Sequence, residues 1–326
     1  MRPAPLAHDW TIDCWCRSGN RSSVCDCLRI SMPLLSISDL TMMLPERLNY
    51  AIARRCPVQC PGCYEVFGRH EPDRRALVKS ATAFVSLGMN SLTLSGGDPL
   101  LLAEPLAWIA DMRAAGMCHI KVDTVGAGLL GSDWQGMLNT KQLLAAVDAL
   151  AIPIDGWDDT SARMFRRGVT DLHSKTVALL SVLDRAASPG QLIVNTVVHA
   201  GNIDHLERIA RIVLGLSNMS CWNLFQYTPT DQSRSEVNDM FVVQDATFDT
   251  EVKQLRERFG ADARIQPRSI TSRLGDYLLV NSDGEAWIPD RHGRTIRLGM
   301  IHEREREVLA QWASIAGRLR DLRASS

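Results

Sequence analysis

The chain has 326 residues, of which 45% are hydrophobic, and its formal net charge is −1. A chain of this size can bury a sizeable core, and the balanced charge argues against a nucleic-acid-binding protein, which would carry a strong basic excess. No apolar run reaches the roughly 18–20 residues that span a bilayer, so we expect a soluble, cytoplasmic protein with no membrane partner. Nine cysteines, an odd number in a long chain, argue against a disulfide framework.

The first 45 residues differ from the rest of the chain. They show little periodicity, and no apolar segment of a signal peptide precedes a cleavage site. We therefore expect residues 1–45 to be a poorly ordered leader, with the natural start near Met32, Met42 or Met43. The alternative is a metal site or a second cluster, since four paired thiols can bind zinc or iron. These thiols belong to Cys14, Cys16, Cys25 and Cys27.

From Leu48 onward, short β-like runs alternate with amphipathic helices. This rhythm predicts parallel strands joined by right-handed crossovers, and six repeats rather than eight predict a partial barrel over residues 46–240. In such barrels the chemistry lies at the carboxyl ends of the strands. The predicted strands are 48–53, 91–95, 119–124, 151–155, 191–198 and 222–227. The predicted helices are 73–87, 102–115, 140–149, 175–187 and 202–214.

The rhythm changes after Thr228, where a polar stretch begins. Residues 241–326 are predicted to form a small α+β extension that packs on the barrel and covers its open mouth. This extension holds a predicted helix, 245–259, and a hairpin whose strands, 277–281 and 285–288, flank a Ser-Asp-Gly turn. The predicted fold class is therefore α/β, a partial (β/α)6 TIM-like barrel with a C-terminal α+β extension.

Three cysteines crowd into the loop after the first predicted strand, as Cys56-Pro-Val-Gln-Cys60-Pro-Gly-Cys63. Thiolates at spacings of four and three residues can hold one corner of a cubane from a single loop. A [4Fe–4S] cluster normally takes four thiolates, so three leave one iron open for another ligand. The alternative is a zinc site, which would need a fourth ligand such as His70.

A second motif, Ser95-Gly96-Gly97-Asp98, ends the second predicted strand. Glycines let the backbone approach a ligand closely, and free carbonyls can accept hydrogen bonds from an ammonium group. On its own the motif is also compatible with an ordinary strand-to-helix turn. It follows the cysteine loop by one strand–helix unit, so both motifs are expected on the same face of the barrel.

Together the two motifs resemble the radical S-adenosylmethionine (SAM) superfamily, with its CX3CX2C loop and its Gly-Gly-Glu motif, here Gly-Gly-Asp. The likeness covers residues 46–230. It implies that Cys56, Cys60 and Cys63 hold a [4Fe–4S] cluster whose open iron binds SAM. It also implies that an external donor such as flavodoxin or ferredoxin supplies the electron. Reductive cleavage of SAM would give a 5′-deoxyadenosyl radical that abstracts hydrogen from the substrate.

The resemblance also implies cofactor contacts elsewhere in the barrel. Family members often carry an aromatic residue just before the third cysteine, whereas this chain has Gly62 there and Tyr64 after it, which we expect to pack on SAM. Arg167 is expected to bind the SAM carboxylate, because a guanidinium matches it bidentately. Each position is also compatible with a helix cap or a solvated loop. The expected cofactor residues are Tyr64, Gly96, Gly97, Asp98, Thr124, Asp155, Arg167, Asn195 and Gln226.

Segments 194–202, 222–227 and 277–289 resemble the viperin group and the cytosylglucuronate decarboxylases of antibiotic biosynthesis. This likeness implies a small sugar or nucleoside substrate, and we favour decarboxylation of a nucleoside-linked sugar acid. The alternatives are a nucleotide dehydratase, a sugar or aminoglycoside epimerase or dehydratase, and a zinc-binding interaction protein. An epimerase would need a thiol, but Cys118 and Cys221 are expected to be small buried residues at the amino-terminal ends of strands. The expected substrate residues are Asp123, Arg268, Arg273, Arg291 and His292.

Overall fold

The computed structural model describes residues 44–129, 138–231 and 235–324. The predicted leader with its two cysteine pairs and the candidate start methionines therefore lies outside the described residues, apart from its last two positions. Among the described helices, none combines the length and the apolar character needed to cross a bilayer.

In the described residues, ten strands form one open sheet, in the order β10-β9-β8-β1-β2-β3-β4-β5-β6-β7. Neighbours from β8 through β1 to β7 are parallel, whereas β8, β9 and β10 pair antiparallel. This arrangement confirms the predicted α/β class with a partial barrel. The strands are β1 (Arg47–Ala53), β2 (Ser91–Gly96), β3 (His119–Asp123), β4 (Ala149–Pro153), β5 (Leu192–Val198), β6 (Met219–Gln226), β7 (Ile265–Arg268), β8 (Tyr277–Val280), β9 (Glu285–Pro289) and β10 (Thr295–Met300).

Helices follow the strands and cover one face of the sheet. Asp73 caps the first helix by accepting a hydrogen bond from the Ala76 amide, and Leu77, Ala81 and Phe84 turn inward onto the sheet. The helices are α1 (Arg74–Ser86), α2 (Pro105–Ala114), α3 (Thr140–Ala146), α4 (Asp159–Phe165), α5 (Leu172–Ala186), α6 (Leu206–Val213), α7 (Ser235–Phe241), α8 (Asp245–Arg258) and α9 (Glu305–Ala324).

Side chains alternate between the two faces of the sheet, as the period of two requires. Leu48, Leu92 and Ile120 join the main hydrophobic core with the helices. The opposite, helix-free side is called the inner face here, and polar side chains occupy much of it. They include Asn49, Thr93, Lys121, Asp123, Asn195, Asn223 and Arg268.

Several predicted boundaries were wrong. The helix predicted over 140–149 ends at Ala146, because β4 already begins at Ala149. The short helix α4 was missed, although Asp158 and Ser161 form a capping box at its start. In the C-terminal part, β7, β10 and α9 were also missed.

The C-terminal strands join the same sheet as the barrel strands. Strand β7 pairs with β6, and β8 pairs with β1, so the segment extends the sheet at both edges. Helix α9 is bonded to the start of β8 and to the residues before it. Trp312 Nε1 donates to the Tyr277 carbonyl at 2.9 Å, and Arg320 donates to the Gly275 carbonyl at 2.8 Å.

Candidate active site

The three motif cysteines lie in the loop that follows β1. Cys56, Cys60 and Cys63 are half-buried free thiols, and the Cys63 amide donates to the Cys60 carbonyl at 3.2 Å. Burial raises the pKa of Cys56 to about 11 and that of Cys63 to about 12. Metal binding to these thiols would therefore release protons, since only thiolates are ligands.

The Gly-Gly-Asp turn binds directly to the backbone that leads into the cysteine loop. The Gly97 amide donates to the Ala53 carbonyl at 2.5 Å, and the Asp98 amide donates to the Arg55 carbonyl at 2.8 Å. A Cβ on Gly96 would lie 2.3 Å from the Ala53 oxygen, and one on Gly97 would lie 2.2 Å from the Arg55 oxygen. These glycines are therefore needed for contact between the two motifs, in addition to any approach to a ligand.

The Asp98 carboxylate is fully buried and is saturated by protein donors. It accepts hydrogen bonds from Thr124 Oγ1 at 2.7 Å and from the amides of Leu100 and Val125 at 2.9 and 3.0 Å. Ala127 adds a fourth donor at 3.3 Å. Burial raises the pKa of Asp98, and these donors oppose that shift. Asp98 and Thr124 thus fix the loops after β2 and β3, and their side chains are occupied in that task.

Asp155 and Arg166 form a buried ion pair beside the cysteine loop. The Asp155 carboxylate is fully buried, accepts from the Val197 amide at 2.6 Å, and pairs with Arg166 Nε. Nη1 of Arg166 lies 3.6 Å from Cys60 Sγ. Arg167, the arginine chosen from the sequence, is exposed, and its backbone pairs with Gln59. The structure therefore places Arg166, rather than Arg167, against a candidate cluster ligand.

Tyr227 occupies the space that a side chain would fill at position 62, directly before the third cysteine. A Cβ on Gly62 would lie 2.3 Å from its hydroxyl oxygen. The Tyr227 ring is buried with Phe165 and Phe241 in a cluster that Cys60 also contacts. Tyr64, by contrast, is 45% exposed. The sequence did not reveal the role of Tyr227, because this contact joins residues that are far apart in the chain.

Glu65 is a further buried carboxyl group that the motifs did not reveal. It is 5% exposed and accepts a hydrogen bond from Ser95 Oγ at 3.1 Å, and Ser95 Oγ also bonds to Asn49. Burial raises the pKa of Glu65 to about 7. An acidic residue two positions after a cysteine triplet is the sequence signal that would have pointed to it.

His199, at the end of β5, packs in the aromatic cluster around Tyr227. Its ring stacks on Phe165 at 5.3 Å and meets Phe241 edge-on at 5.2 Å. Nδ1 accepts from the Gly201 amide at 3.0 Å, so the neutral ring carries its proton on Nε2, which has no partner among the described residues. Burial lowers the pKa of His199 to about 4.

This low pKa predicts an acid-sensitive fold. Unfolding restores an ordinary histidine pKa near 6.5, so the unfolded chain binds a proton that folded His199 refuses as the pH falls toward 4. We expect this residue to cost about 2 kcal/mol of unfolding free energy between pH 7 and pH 5. Urea unfolding of metal-free protein at pH 7 and pH 5 checks this. In His199→Asn, the unfolding free energy should fall by about 2 kcal/mol less over this pH range. Equal pH dependence in variant and wild type would contradict it.

Two asparagines and an arginine form a ladder on the inner face of β5, β6 and β7. Asn223 Nδ2 donates to Asn195 Oδ1 at 3.0 Å, and Arg268 Nε donates to Asn223 Oδ1 at 3.2 Å. Within the described ranges, no partner is found for the terminal nitrogens of Arg268. The ladder therefore holds a half-buried guanidinium with donors to spare.

Gln226 and Arg273 are occupied in holding the C-terminal segment. Gln226 bonds to Asp245 at 2.7 Å and accepts from the Ile270 amide at 2.9 Å. Arg273 donates to the carbonyl of Gln226 at 2.8 Å and stacks 5.3 Å from the Phe225 ring centre. Burial lowers the pKa of Arg273 to about 10.

The remaining predicted substrate residues are dispersed. Arg291 and His292 are exposed in the turn between β9 and β10 and bond to each other at 3.0 Å. Asp123 lies on the inner face and pairs with Lys121 at 2.9 Å. Among the expected substrate cations, Arg268 is thus the one with free donors on the inner face.

The two isolated cysteines differ from expectation. Cys118 directly precedes β3 as predicted, but it is exposed rather than buried. Cys221 lies within β6 rather than before it, because β6 begins at Met219, earlier than predicted. The Cys221 side chain is half-buried. Register pairs Cys221 with Ile193 and Asn223 with Asn195, so Cys221 shares the inner face with the ladder.

The donor set can be compared with two kinds of metal site. Within residues 44–129, 138–231 and 235–324, no three His, Cys, Asp or Glu side chains are grouped as ligands of a single metal ion. A [4Fe–4S] cubane needs no such convergence, because its thiolates bind separate irons. Three half-buried thiols on one loop, with a cation beside Cys60, fit such a cluster.

Comparison with known proteins gives relatives in sequence and in fold. No protein-family model matches the chain. A GTP 3′,8-cyclase of Synechococcus sp. is 30% identical over 221 residues, covering 58% of this chain and 59% of the relative. A PqqA peptide cyclase of Ruegeria pomeroyi is 22% identical over 182 residues, covering 55% and 46%. The matched region thus spans about half the length of these curated relatives.

Solved structures share the fold. Streptococcus suis SuiB bound to S-adenosylmethionine has a TM-score of 0.56 at 11% identity, covering 74% of this chain and 59% of SuiB. The enzyme anSMEcpe with bound AdoMet and a peptide has a TM-score of 0.59 at 16% identity, covering 80% and 79%. The chain is therefore similar in sequence to these two cyclases over about half of its length, and it shares its fold with these two solved structures.

Proposed function

We propose that the chain is a radical SAM enzyme that binds a [4Fe–4S] cluster through Cys56, Cys60 and Cys63. The observation that carries this proposal is the pair of backbone hydrogen bonds between the Gly-Gly-Asp turn and the residues leading into the cysteine loop. When bound, the cluster supplies one electron to SAM, which yields methionine and a 5′-deoxyadenosyl radical. An external reductant such as flavodoxin or ferredoxin provides that electron.

The chain's own residues position these components. The carbonyl edge of the Gly96–Gly97 turn would receive the SAM ammonium group, and Tyr64, which is 45% exposed, directly follows the third cysteine. Asp98 and Thr124 keep the turn rigid through buried hydrogen bonds. A rigid, partly dry site limits quenching of a reactive radical by water.

For the substrate we propose a small polyhydroxylated acid, with decarboxylation of a nucleoside-linked sugar acid as the reaction. Support comes from the polar inner face, where Arg268 holds free donors for a carboxylate and the Asn195–Asn223 pair offers amide groups for hydroxyls. The radical would remove hydrogen from the sugar ring beside the carboxylate, at the carbon next to the one that bears it. The net change from that radical to the product would be loss of CO2 with uptake of two protons and of one further electron, which the external reductant would supply.

Arg268 is expected to govern affinity for such an acid. Arg268→Gln should raise KM by roughly tenfold or more, because a charge-assisted pair is lost, while basal SAM cleavage without substrate stays unchanged. Arg291→Gln removes an exposed arginine of the same extension and is the matched control. Equal KM values for both variants and wild type would refute this role.

Epimerisation is a second candidate function, favoured by Cys221. Its thiol shares the inner face with Asn195 and Asn223, and an epimerase needs a hydrogen-atom donor to the substrate radical. Incubation with SAM, a reductant and candidate nucleosides separates the reactions by mass spectrometry. Loss of CO2 supports decarboxylation. An isomer of unchanged mass, formed by wild type but not by Cys221→Ser, supports epimerisation, and loss of water from a nucleotide supports a dehydratase.

A further inference from the structure

We propose that Arg166 is a positioning residue that raises the reduction potential of the cluster through Cys60. This inference rests on the proposed function, because it requires a cluster on the three cysteines. It concerns the ease of electron entry, and it is separate from any contact that the guanidinium makes with SAM.

The Arg166 guanidinium contacts the Cys60 thiol at one end and is paired with Asp155 at the other. Nη1 lies 3.6 Å from Cys60 Sγ, within hydrogen-bonding distance for sulfur, while Nε is paired with Asp155. The Arg166 side chain is 16% exposed and that of Asp155 is fully buried. Asp155 is itself fixed by the Val197 amide at 2.6 Å.

Backbone hydrogen bonds also hold the Arg166 segment against the cysteine loop. The Gln59 amide donates to the Arg167 carbonyl at 2.8 Å, which ties the arginine segment to the cysteine loop as an isolated antiparallel bridge. Gly168 turns away with a φ of +97°, and a Cβ there would lie 3.0 Å from the Pro57 carbonyl oxygen. The bridge therefore keeps the backbone segments that carry Arg166 and Cys60 next to each other.

Electrostatics gives the sign of the effect. Reduction adds one negative charge to the cluster and its thiolates, and a nearby cation with an N–H···S bond stabilises the reduced form more than the oxidised form. Partial burial limits screening by water. The Asp155 carboxylate offsets part of the positive charge, so the effect is that of an oriented ion pair with its cationic end toward Cys60.

The test is a redox titration of reconstituted protein, followed by electron paramagnetic resonance without SAM. Arg166→Gln is expected to make the reduced cluster at least about tenfold less favoured, a downward shift of about 59 mV for one electron. Arg166→Lys keeps the charge but loses the planar fork, so its shift should be smaller and of the same sign. Arg167→Gln is the matched control, because it removes an adjacent but exposed arginine, and its potential should equal that of wild type.

Each outcome decides the matter. A wild-type potential in Arg166→Gln, or equal shifts in Arg166→Gln and Arg167→Gln, would overturn the proposal. If Arg166→Gln takes up no iron, Arg166→Lys provides the measurement, and loss of the cluster from both would overturn tuning in favour of a role in cluster retention. If wild-type protein binds no cluster, the proposed function itself fails, which is a distinguishable result.

Discussion

Replacement of Cys60 by alanine is expected to abolish cluster assembly and reduce SAM cleavage to background. Cys60 is the central thiol of the loop, and Arg166 and the aromatic cluster around Tyr227 both contact it. With two thiolates left, the loop cannot hold a cubane that already lacks a fourth cysteine ligand. Iron analysis after anaerobic reconstitution should fall from about four to below about one iron per chain.

The matched control for this change is Cys118→Ser. Cys118 is exposed ahead of β3, and its Sγ donates to the Gly116 carbonyl at 3.5 Å. Full iron content in Cys60→Ala would refute the ligand assignment. Loss of iron from Cys118→Ser would show that cysteine replacement acts in a non-specific way.

Replacement of Gly97 by alanine is expected to separate the two motifs. The added Cβ would lie 2.2 Å from the Arg55 carbonyl oxygen and 2.5 Å from its carbon, and backbone atoms cannot move aside as a side-chain tip can. The hydrogen bonds of the Gly97 and Asp98 amides to Ala53 and Arg55 would then be strained or broken. We expect a loss of at least about 2 kcal/mol of unfolding free energy, together with reduced cluster loading.

Gly215→Ala provides the comparison for the glycine change. A Cβ at Gly215 would make only ordinary contacts, the nearest at 3.4 Å from the Ile212 carbonyl oxygen. Its effect on urea unfolding should stay within about 0.5 kcal/mol. If both alanine variants unfold at the wild-type denaturant concentration, the contact between the motifs does not depend on glycine.

Much of the barrel could be predicted because its strands follow simple patterns. Buried parallel strands such as β5 are rich in Val and Ile, and the intervening helices show one apolar face. Strand β7 was missed because it is short and contains Pro267. Strand β10 carries the exposed Arg297 and a glycine, and so lacks a clear strand pattern.

The site was predictable where it depends on neighbouring residues and not where it depends on distant ones. The spacing of Cys56, Cys60 and Cys63 is local, so the sequence revealed it. The choice between Arg166 and Arg167 depends on the direction of each side chain. Residues in an irregular loop follow no repeating pattern from which that direction could be predicted. Tyr227 reaches Gly62 from another strand end, a contact that only the folded sheet creates.

The roles of the polar residues required the structure for a related reason. The family resemblance implied that Asp98, Thr124 and Gln226 bind the cofactor. Their hydrogen bonds are instead used within the protein. A sequence shows that a residue can make hydrogen bonds but not which partner it finds.

The most direct test of the central claim is reductive cleavage of SAM by anaerobically reconstituted wild-type protein. The proposed function predicts about four irons and four sulfides per chain and formation of 5′-deoxyadenosine in the presence of dithionite. It also predicts that SAM alters the electron paramagnetic resonance signal of the reduced cluster. A colourless protein that retains one zinc, or a protein with a cluster that neither binds nor cleaves SAM, would contradict it.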